Sequence, residues 1–398
     1  MSKEHQEEHF TEFQGHTLLK HGVLDRYVKA WIQILKGLHE KLWIVDGFAG
    51  RGKDDAGNPG SPLLLARSAA QLREEGADVR LFAVEVRRDN YDALTKNLAE
   101  FDIDRGGPFP IAYLRHGLLV DHMGEAFRLI GEAPAFVFLD PFGAGGLSLN
   151  IVERTLALPK GEVFALFSYR AIHRHLSVLA TDYTARARRE AADQPGLFPD
   201  LDDEVLAEQL EHARKSDATL LPTKGAAQRI LVELFGSLDD IRRILTLPVS
   251  AWANEVLRAY LGALERCGAT HITRMAVFDD EQKGVYYLLH AAKNPKAALK
   301  MKESAHSAIN KSRLPTSTKD CIRLSHAVRI TEVVAAVRGR FEGQEVHWTD
   351  DQRSTESVQG YALSETPMFY DQAKELREAL EPFAIKKKPL LFQFPPSH

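Results

Sequence analysis

An acidic residue followed by a run of glycines is the first feature of this sequence that could do chemistry. The segment reads Asp46-Gly47-Phe48-Ala49-Gly50-Arg51-Gly52. Glycine lets the backbone approach a ligand closely, because it has no side chain and tolerates unusual dihedral angles. The Asp46 carboxylate can pair with an ammonium group or with a nearby backbone amide. A glycine-rich turn that binds nothing is the alternative interpretation.

The order of the glycines indicates which ligand the loop would accept. They are spaced G-x-x-G-x-G, whereas a dinucleotide-binding loop reads G-x-G-x-x-G and a phosphate-binding P-loop ends in Gly-Lys-Ser/Thr. An acid in front of the loop repels a pyrophosphate but attracts the ammonium and sulfonium of S-adenosylmethionine (SAM). The loop therefore favours SAM over a nicotinamide dinucleotide. The residues predicted to bind this cofactor are Asp46, Gly47, Phe48, Ala49, Gly50 and Gly52.

Two further residues at predicted strand ends are candidates for the same cofactor site. Glu85 ends the second predicted strand, where an acid in nucleotide-binding sheets accepts the ribose hydroxyls. A solvated glutamate at the end of a strand is the alternative. His116 follows the third predicted strand, the position that usually contacts adenine in such sheets, although an ordinary surface histidine fits equally well.

The turn Asp140-Pro141-Phe142-Gly143 could position a methyl acceptor. Proline stiffens the turn and keeps the preceding residue extended. The Asp140 carboxylate and the Pro141 carbonyl can accept hydrogen bonds from an amino group, which would align its lone pair with a sulfonium methyl. Phe142 could stack on a planar base. We predict Asp140, Pro141, Phe142 and Gly143 as the catalytic residues; a tight turn with a core Phe is the alternative.

These candidates lie on an alternating pattern of strands and helices. Short apolar runs, each followed by a helical pattern, predict strands at 42–45, 79–84, 111–114, 135–139 and 163–167. Such alternation predicts a parallel sheet with helices on both faces, which binds its ligands outside the carboxyl ends of the strands. A helix is predicted at 13–38, and another begins with Ser61 as its N-cap and Pro62 at its first position.

The remaining chain completes the predicted fold class. Strands at 272–278 and 285–291 form a hairpin, so we predict an α/β, doubly wound, seven-stranded Rossmann-like methyltransferase sheet with a helical insertion and a small C-terminal α+β appendage. The predicted segments are a helical segment at 1–40, the SAM-binding core at 41–168, the insertion at 169–250, the end of the core at 251–314 and the appendage at 315–398. A winged-helix-like module and plain packing are both open for the appendage.

Composition limits the class of protein. A net charge of −4 excludes a globally basic nucleic-acid binder but allows a local basic groove. The two cysteines, Cys267 and Cys321, are too far apart in sequence to suggest a zinc site or a disulfide framework, which favours a reducing compartment. No long apolar stretch and no apolar leader occur, so we expect a cytoplasmic protein without membrane contact. His173 and His175 have no third ligand nearby in the sequence, so we predict no metal site.

For two further segments the sequence allows two interpretations. Lys20-His21 lies either at the rim of the cleft or on a helix surface. A basic cluster follows the fifth predicted strand and either contacts phosphates or forms a solvated helix face. Its members are Arg170, His173, Arg174, His175, Arg186, Arg188 and Arg189.

Together these motifs resemble the bacterial three-Cys-motif partner protein family (TcmP). The resemblance covers residues 13–170 and, less closely, 251–305. It rests on Lys20-His21, Leu24, Tyr27, Trp31, the loop from Asp46 to Gly52, Gly60-Ser61-Pro62 and the turn from Asp140 to Gly143. It implies a class I SAM-dependent methyltransferase-like fold and a partner protein with a three-cysteine motif, itself similar to radical-SAM or iron–sulfur proteins. Those cysteines would belong to the partner.

The turn at Asp140 also resembles that of tRNA guanine-N2 dimethyltransferases and, more distantly, the Asp-Pro-Pro-Tyr turn of adenine-N6 methyltransferases. This implies an amino group of a nucleobase in RNA or DNA as the acceptor. Residues Lys53 to Pro59 lengthen the first loop relative to simple members of the class, and Gly143 replaces an aromatic residue. The hypotheses are therefore a SAM-dependent N-methyltransferase or a non-catalytic partner of the three-cysteine protein. The glycine order disfavours a nicotinamide dehydrogenase.

Overall fold

The computed structural model describes most of the chain, and all structural statements below concern the described residues. These are residues 15–101, 110–141, 143–180, 224–278, 284–311, 322–323, 330–348, 356–366, 368, 372–387 and 390–394. Several residues singled out in the sequence therefore lie outside the described part, namely Phe142, Arg186, Arg188, Arg189 and Cys321.

One large sheet forms the centre of the described structure. Its strands are β1 (Lys41–Asp46), β2 (Asp78–Glu85), β3 (Ala112–His116), β4 (Ala135–Leu139), β5 (Glu162–Phe167), β6 (His271–Phe278), β7 (Gly284–Ala292) and β8 (Ile322–Arg323). They lie in the order β3-β2-β1-β4-β5-β7-β6-β8. Nearly every residue of β1, β2, β4 and β5 is buried, because helices cover both faces.

Strand directions confirm the predicted fold class. Strands β1 to β5 run parallel, and β7 pairs antiparallel with both β5 and β6. The strand order reverses between β1 and β4, which makes the carboxyl ends of these neighbours the topological switch point. The seven predicted strands are all present, and the two-residue β8 adds an eighth at the edge of β6.

Helices form a layer on each face of the sheet. The helices of the core and insertion are α1 (Gly15–Leu35), α2 (Ser61–Glu74), α3 (Arg88–Asn97), α4 (Leu119–Ile130), α5 (Leu149–Ala157), α6 (Tyr169–Leu179), α7 (Lys224–Phe235), α8 (Leu238–Thr246), α9 (Trp252–Arg266) and α10 (Pro295–Lys311). Apolar residues of α1, α2, α3 and α10 pack on one face, and those of α4 to α9 pack on the other.

The C-terminal residues build a third apolar cluster of their own. Its elements are α11 (Ile330–Arg340), β9 (Glu345–His347), α12 (Val358–Glu365), α13 (Ala373–Ala379), β10 (Ala384–Lys387) and β11 (Leu390–Gln393). The three strands form a small antiparallel sheet in the order β10-β11-β9. Leu299 of α10 also belongs to this cluster, so α10 packs against both the main sheet and the C-terminal unit.

The prediction of Ser61 as a helix cap is wrong. Gly60 is the N-cap of α2, and Ser61 is the first helical residue, ahead of Pro62. Gly60 sits where a side chain would be crowded, with the Gly52 carbonyl oxygen only 3.2 Å from the position of a Cβ. The Ser61 hydroxyl lies near the buried Asp46 carboxyl and acts to lower its pKa.

Candidate active site

Three acids meet at the carboxyl edge of the main sheet. Asp46 ends β1, Glu85 ends β2, and Asp140 directly follows β4. Asp46 pairs in register with Phe138, two residues before Asp140, so these two acids flank the switch point. The structure therefore brings the predicted cofactor loop and the predicted acceptor turn to one edge, as the parallel alternation requires.

Backbone hydrogen bonds hold the loop after β1 in place. The amide of Gly47 donates to the Phe138 carbonyl at 3.0 Å, and that of Ala49 donates to the Val84 carbonyl at 2.9 Å. The loop is thus tied to the ends of both neighbouring strands. Gly50 and Gly52 have φ values of +62° and +88°, which L side chains rarely adopt.

Gly47 is required for packing. A Cβ added there would lie 2.7 Å from Leu119 Cδ2 and 3.1 Å from Leu139 Cδ2. The backbone of the loop therefore rests directly on α4 and β4. Two of the three glycines thus serve the loop's conformation and one serves its packing.

Glu85 is buried and supports the glycine loop. Glu85 is 3% exposed. Its carboxylate accepts hydrogen bonds from the backbone amide of Gly50 at 2.9 Å and from that of Arg87 at 2.7 Å. Burial raises the pKa of this carboxyl, while the Arg87 and Gly50 amides act in the opposite direction. Glu85 thus links the end of β2 to the loop after β1, a structural role that the sequence did not indicate.

Asp46 is fully buried and only partly satisfied. Its Oδ1 accepts the Phe48 amide at 3.2 Å, whereas Oδ2 has no hydrogen-bond partner within the described residues. Burial raises the pKa of Asp46 to about 7, and the nearby Asp140 adds to this, while Ser61, Phe48 and Lys20 act against it. Burial thus favours the protonated form of this acid.

Lys20 is a site residue that the sequence left undecided. Its ammonium donates to Asp140 Oδ2, and the side chains of the pair are 6% and 20% exposed. The helix-surface interpretation of Lys20 is therefore wrong, because the side chain is buried in contact with the predicted acceptor turn. A signal was present, because Lys20 continues the spacing of Leu24, Tyr27 and Trp31 along the buried side of α1. A lysine on a buried helix stripe normally requires a partner.

The turn after β4 is held by an aromatic contact. Phe48 packs on Gly146, where an added Cβ would lie 2.3 Å from the Phe48 ring and where φ is +98°. Pro141 and Ala144 are buried, whereas Gly143 and Gly145 have room for a side chain. The loop after β1 therefore contacts the turn after β4 through Phe48, while Phe142 lies outside the described residues.

Apolar side chains are exposed at the outer rim of the site. Val86, Leu118 and Val120 are 51%, 55% and 63% exposed, and they follow the ends of β2 and β3. His116 is also exposed and pairs in register with Glu85, with its ring centroid 5.4 Å from that of Tyr91. Open apolar surface at this edge suits a flat ring, and sequence reasoning missed it because scattered valines and leucines carry no motif.

The lengthened first loop is ordered. Lys53 and Pro59 form an antiparallel bridge. The Asp54 carboxylate accepts hydrogen bonds from the backbone and side-chain nitrogens of Asn58, at 2.6 and 2.7 Å. Gly57 has a φ of +85°, as this turn requires. The extra residues therefore build a compact hairpin next to the loop after β1.

The described part of the basic cluster lies on α6, directly after β5. Arg170 is half-buried, and its Nε has no partner within the described residues; Arg174, one turn later, is exposed. Burial, followed by the charge of Arg174, lowers the pKa of His175. The helix begins at Ser168, whose hydroxyl accepts the Ala171 amide. The cluster therefore sits at the same edge of the sheet as Asp140.

The described residues lack two other kinds of site. They contain no group of three His, Cys, Asp or Glu side chains placed to hold a metal ion. None of their helices combines the length and apolar character needed to cross a membrane.

Comparisons with known proteins find only distant structural similarity. No protein-family model and no curated protein matches the chain. A possible exported protein from Bordetella parapertussis aligns at 14% identity over 66% of each chain. PKMT2 from Rickettsia typhi aligns at 11% identity over 69% of this chain and 53% of that chain. Both TM-scores are 0.29, so the fold assignment rests on the strand order and pairing of the sheet itself.

Proposed function

We propose that this chain is a SAM-dependent N-methyltransferase that acts on an exocyclic amino group of a nucleobase in RNA or DNA. One observation carries the proposal: acids end β1 and β2 and follow β4 around the switch point of a methyltransferase-type sheet. Ligands of doubly wound sheets bind at this point. The family resemblance to TcmP supports the same activity.

The residues present fit SAM. Asp46 offers an unpartnered buried oxygen for the cationic amino-acid end, beside a loop whose glycines leave the backbone accessible. Glu85 already accepts one amide on each oxygen, but a carboxylate can accept about four hydrogen bonds, so capacity for ribose hydroxyls remains. Val86 and Leu118 would contact the adenine, with His116 at the rim.

Bound SAM would supply an electrophilic methyl group, and the chain's own residues would orient the acceptor. The Asp140 carboxylate would accept one N–H of the amino group, and the Pro141 carbonyl would accept another. These contacts fix the direction of the nitrogen lone pair, and alignment of this kind is a main contribution to methyl transfer. Phe142 would stack on the base. Arg170 and Arg174 favour a nucleic-acid acceptor, because cations beside the site can bind phosphates.

Isothermal titration calorimetry with SAM tests the cofactor. Wild-type protein is expected to bind, and Glu85→Gln and Glu85→Ala are expected to weaken binding by about 10- to 100-fold, the value of one or two charged hydrogen bonds. Glu132→Ala, an exposed acid, is the matched control and should bind as wild type. A folded wild-type protein that binds no SAM would overturn the proposal, as would unchanged affinity in both Glu85 variants.

Methyl transfer is tested by incubating the protein with methyl-labelled SAM and total RNA or DNA. Label should enter nucleic acid with wild type and be lost with Asp140→Ala, while Asp121→Ala, an exposed acid, retains it. Mass spectrometry of the digested nucleosides then identifies the base. Label that enters protein instead, or an equal rate in the Asp140 variant, contradicts the proposed acceptor chemistry.

A second candidate function is a non-catalytic partner of the three-cysteine protein that the TcmP resemblance implies. One observation favours it: Glu85 and Asp140 both already have partners inside the chain. A stable complex with that protein, together with SAM binding but no transfer to RNA or DNA, would support this alternative.

A further inference from the structure

The contact between Lys20 and Asp140 has the chemistry of an acceptor amine on its binding residue. The Lys20 ammonium is an N–H donor on a buried side chain, and it donates to Oδ2 of the acid that follows β4. In the proposed function, Asp140 would accept an N–H of the substrate in the same way. Lys20 therefore occupies the hydrogen-bonding position that an acceptor amino group needs.

A second acid at this edge has a carboxylate oxygen that could accept the same ammonium. Asp46 Oδ2 is fully buried and has no hydrogen-bond partner in the described part of the chain. Asp46 and Asp140 follow neighbouring strands, whose backbones lie about 4.8 Å apart. The charges acting on Asp46 are those of Lys20 from α1 and Asp140, with the Ser61 hydroxyl from α2 and the Phe48 amide completing its surroundings.

The charge of Lys20 thus acts on both Asp140 and Asp46. When the ammonium is on Asp140, its charge acts on Asp46 without a direct hydrogen bond to Oδ2, and burial disfavours the ionised form of Asp46. The raised pKa of Asp46 agrees with this arrangement. Lysine suits an exchange between two acids, because its ammonium is a compact charge on a flexible four-carbon chain.

We propose that Lys20 is an exchangeable counter-ion, which rests on Asp140 in the free protein and turns to Asp46 when an acceptor amino group takes its place on Asp140. The identity of the displacing group rests on the proposed function. The exchange itself depends only on Lys20, Asp46 and Asp140. It has two consequences: the group that replaces Lys20 must itself donate a hydrogen bond to Asp140 or carry a positive charge, and the arrival of the Lys20 ammonium favours the ionised form of Asp46.

Carboxyl ¹³C NMR of aspartate-labelled full-length protein tests the exchange without SAM or substrate. The Asp46 signal is assigned by its loss in Asp46→Asn. Asp140→Asn removes the resting partner of Lys20 and also the Asp140 charge, which raises the pKa of Asp46. The ammonium should then move to Asp46, so that both effects together lower its titration midpoint by about 2 pH units. In the double variant Lys20→Met/Asp140→Asn only the smaller part caused by the lost Asp140 charge should remain. Lys29→Gln, on the same helix but paired with Asp25, should leave the midpoint unchanged.

Each result decides the proposal. A midpoint that stays within about half a pH unit of wild type in Asp140→Asn would overturn it, as would an equal lowering in the double variant. Circular dichroism verifies that the variants fold, and Asp140→Ser and Lys20→Gln replace any that do not. Failure of SAM calorimetry with a positive NMR result would reject the methyltransferase and leave the exchange standing, whereas the reverse pair of results would reject the exchange alone.

Discussion

Asp46 is completely buried, and its Oδ2 has no hydrogen-bond partner among the described residues. It lies at the edge of the sheet where doubly wound folds bind their ligands. A buried carboxylate without a counter-ion is strongly disfavoured and takes up a proton instead. Its neighbours are arranged accordingly: the Phe48 amide and the Ser61 hydroxyl partly stabilise the charge, and Asp140 opposes it. Structural acids are normally fully paired, so an acid left in this state indicates a ligand site.

Replacing Asp46 with asparagine should change how stability depends on pH. The pKa of Asp46 is about 7 in the folded protein against an ordinary value of 3.8, so the folded state binds more protons between these pH values. Wild type should therefore lose unfolding free energy relative to Asp46→Asn as pH rises from 4 to 7, by roughly 1.4 kcal/mol per pH unit and about 4 kcal/mol at most. Above pH 7 the difference should stay constant.

Urea unfolding at several pH values measures this difference. Asp89→Asn is the matched control: Asp89 is exposed and bonded to Arg87, which lowers its pKa to about 2, so its curve should run parallel to wild type between pH 4 and 7. If the unfolding free energy of Asp46→Asn also runs parallel to that of wild type, Asp46 is ionised in the folded protein over this whole pH range.

The sequence predicted those site residues whose position follows from the strand pattern. Asp46, Glu85 and Asp140 each end or follow an apolar run, so a parallel sheet necessarily brings them to one edge. Lys20 could not be assigned in this way, because it meets Asp140 across 120 positions and through helix packing. The supporting bonds of Glu85 were equally hidden, since they join its carboxylate to backbone amides, which every residue carries.

At the scale of elements, the turn after β4 depends on one glycine. Gly146 combines a φ of +98° with a Cβ position 2.3 Å from the Phe48 ring. Gly146→Ala should lower the unfolding free energy by about 1–3 kcal/mol, because the backbone becomes strained and Phe48 must move. Gly145→Ala, whose Cβ would meet nothing within 4 Å, should change it by less than about 0.5 kcal/mol. Chemical denaturation measures the unfolding free energy of both variants. Equal losses in the two would contradict a close contact between Gly146 and Phe48.

Helix α1 is fixed to the sheet by a buried polar group as well as by apolar packing. The Tyr27 hydroxyl donates to Glu162 Oε2, and His290 Nε2 lies 2.9 Å from the same oxygen. Burial, followed by the charge of Glu162, raises the pKa of Tyr27 well above its usual value, so the phenol remains a donor. This group holds the helix that carries Lys20.

Tyr27→Phe should therefore destabilise the protein by about 1–3 kcal/mol, because Glu162 loses a buried donor. Tyr260→Phe is the matched control, since the Tyr260 hydroxyl is equally buried but has no partner in the described residues. Removing the Tyr260 hydroxyl should leave the free energy of unfolding unchanged or raise it slightly. Thermal and urea unfolding distinguish the two variants, and similar values for both would show that the Tyr27 hydrogen bond contributes nothing net.

Element boundaries show where local sequence signals fail. The prediction of a Ser61 cap followed the usual preference of helix ends for serine, which considers only neighbouring residues. Here the N-cap is Gly60, where an added Cβ would lie only 3.2 Å from the Gly52 carbonyl oxygen, so the tertiary contact with the glycine loop disfavours a side chain at the cap. The strands were predicted more accurately, because burial on both faces produces continuous apolar runs.

At the scale of the whole molecule, three apolar clusters divide the described residues. Two lie on the faces of the main sheet, and the third joins the C-terminal elements to Leu299 of α10. The two-residue β8 lies within the predicted appendage at 315–398 yet pairs with β6 of the main sheet. The division of the chain at residue 315 therefore remains a prediction that needs a direct test.

A buried lysine on α10 offers that test. Lys302 is 1% exposed, and its ammonium donates to the carbonyls of Leu363 and Thr366 at the end of α12. Lys302→Met keeps the length of the side chain but leaves these carbonyls without their donor, at a loss of about 1–3 kcal/mol each. Because the C-terminal cluster has its own core, we expect the loss to appear mainly there.

Hydrogen exchange measured by mass spectrometry locates the loss. In Lys302→Met, amides in 330–394 should exchange at least about tenfold faster, as expected for a loss of 1.4 kcal/mol or more, while β1 to β5 keep their wild-type rates. Lys300→Met is the matched control, because Lys300 lies on the same helix and, among the described residues, pairs with the half-buried Glu303. Faster exchange throughout the main sheet would mean that the two regions unfold together, and the chain would then form a single cooperative unit in which the C-terminal residues help to support α10 and the sheet beneath it.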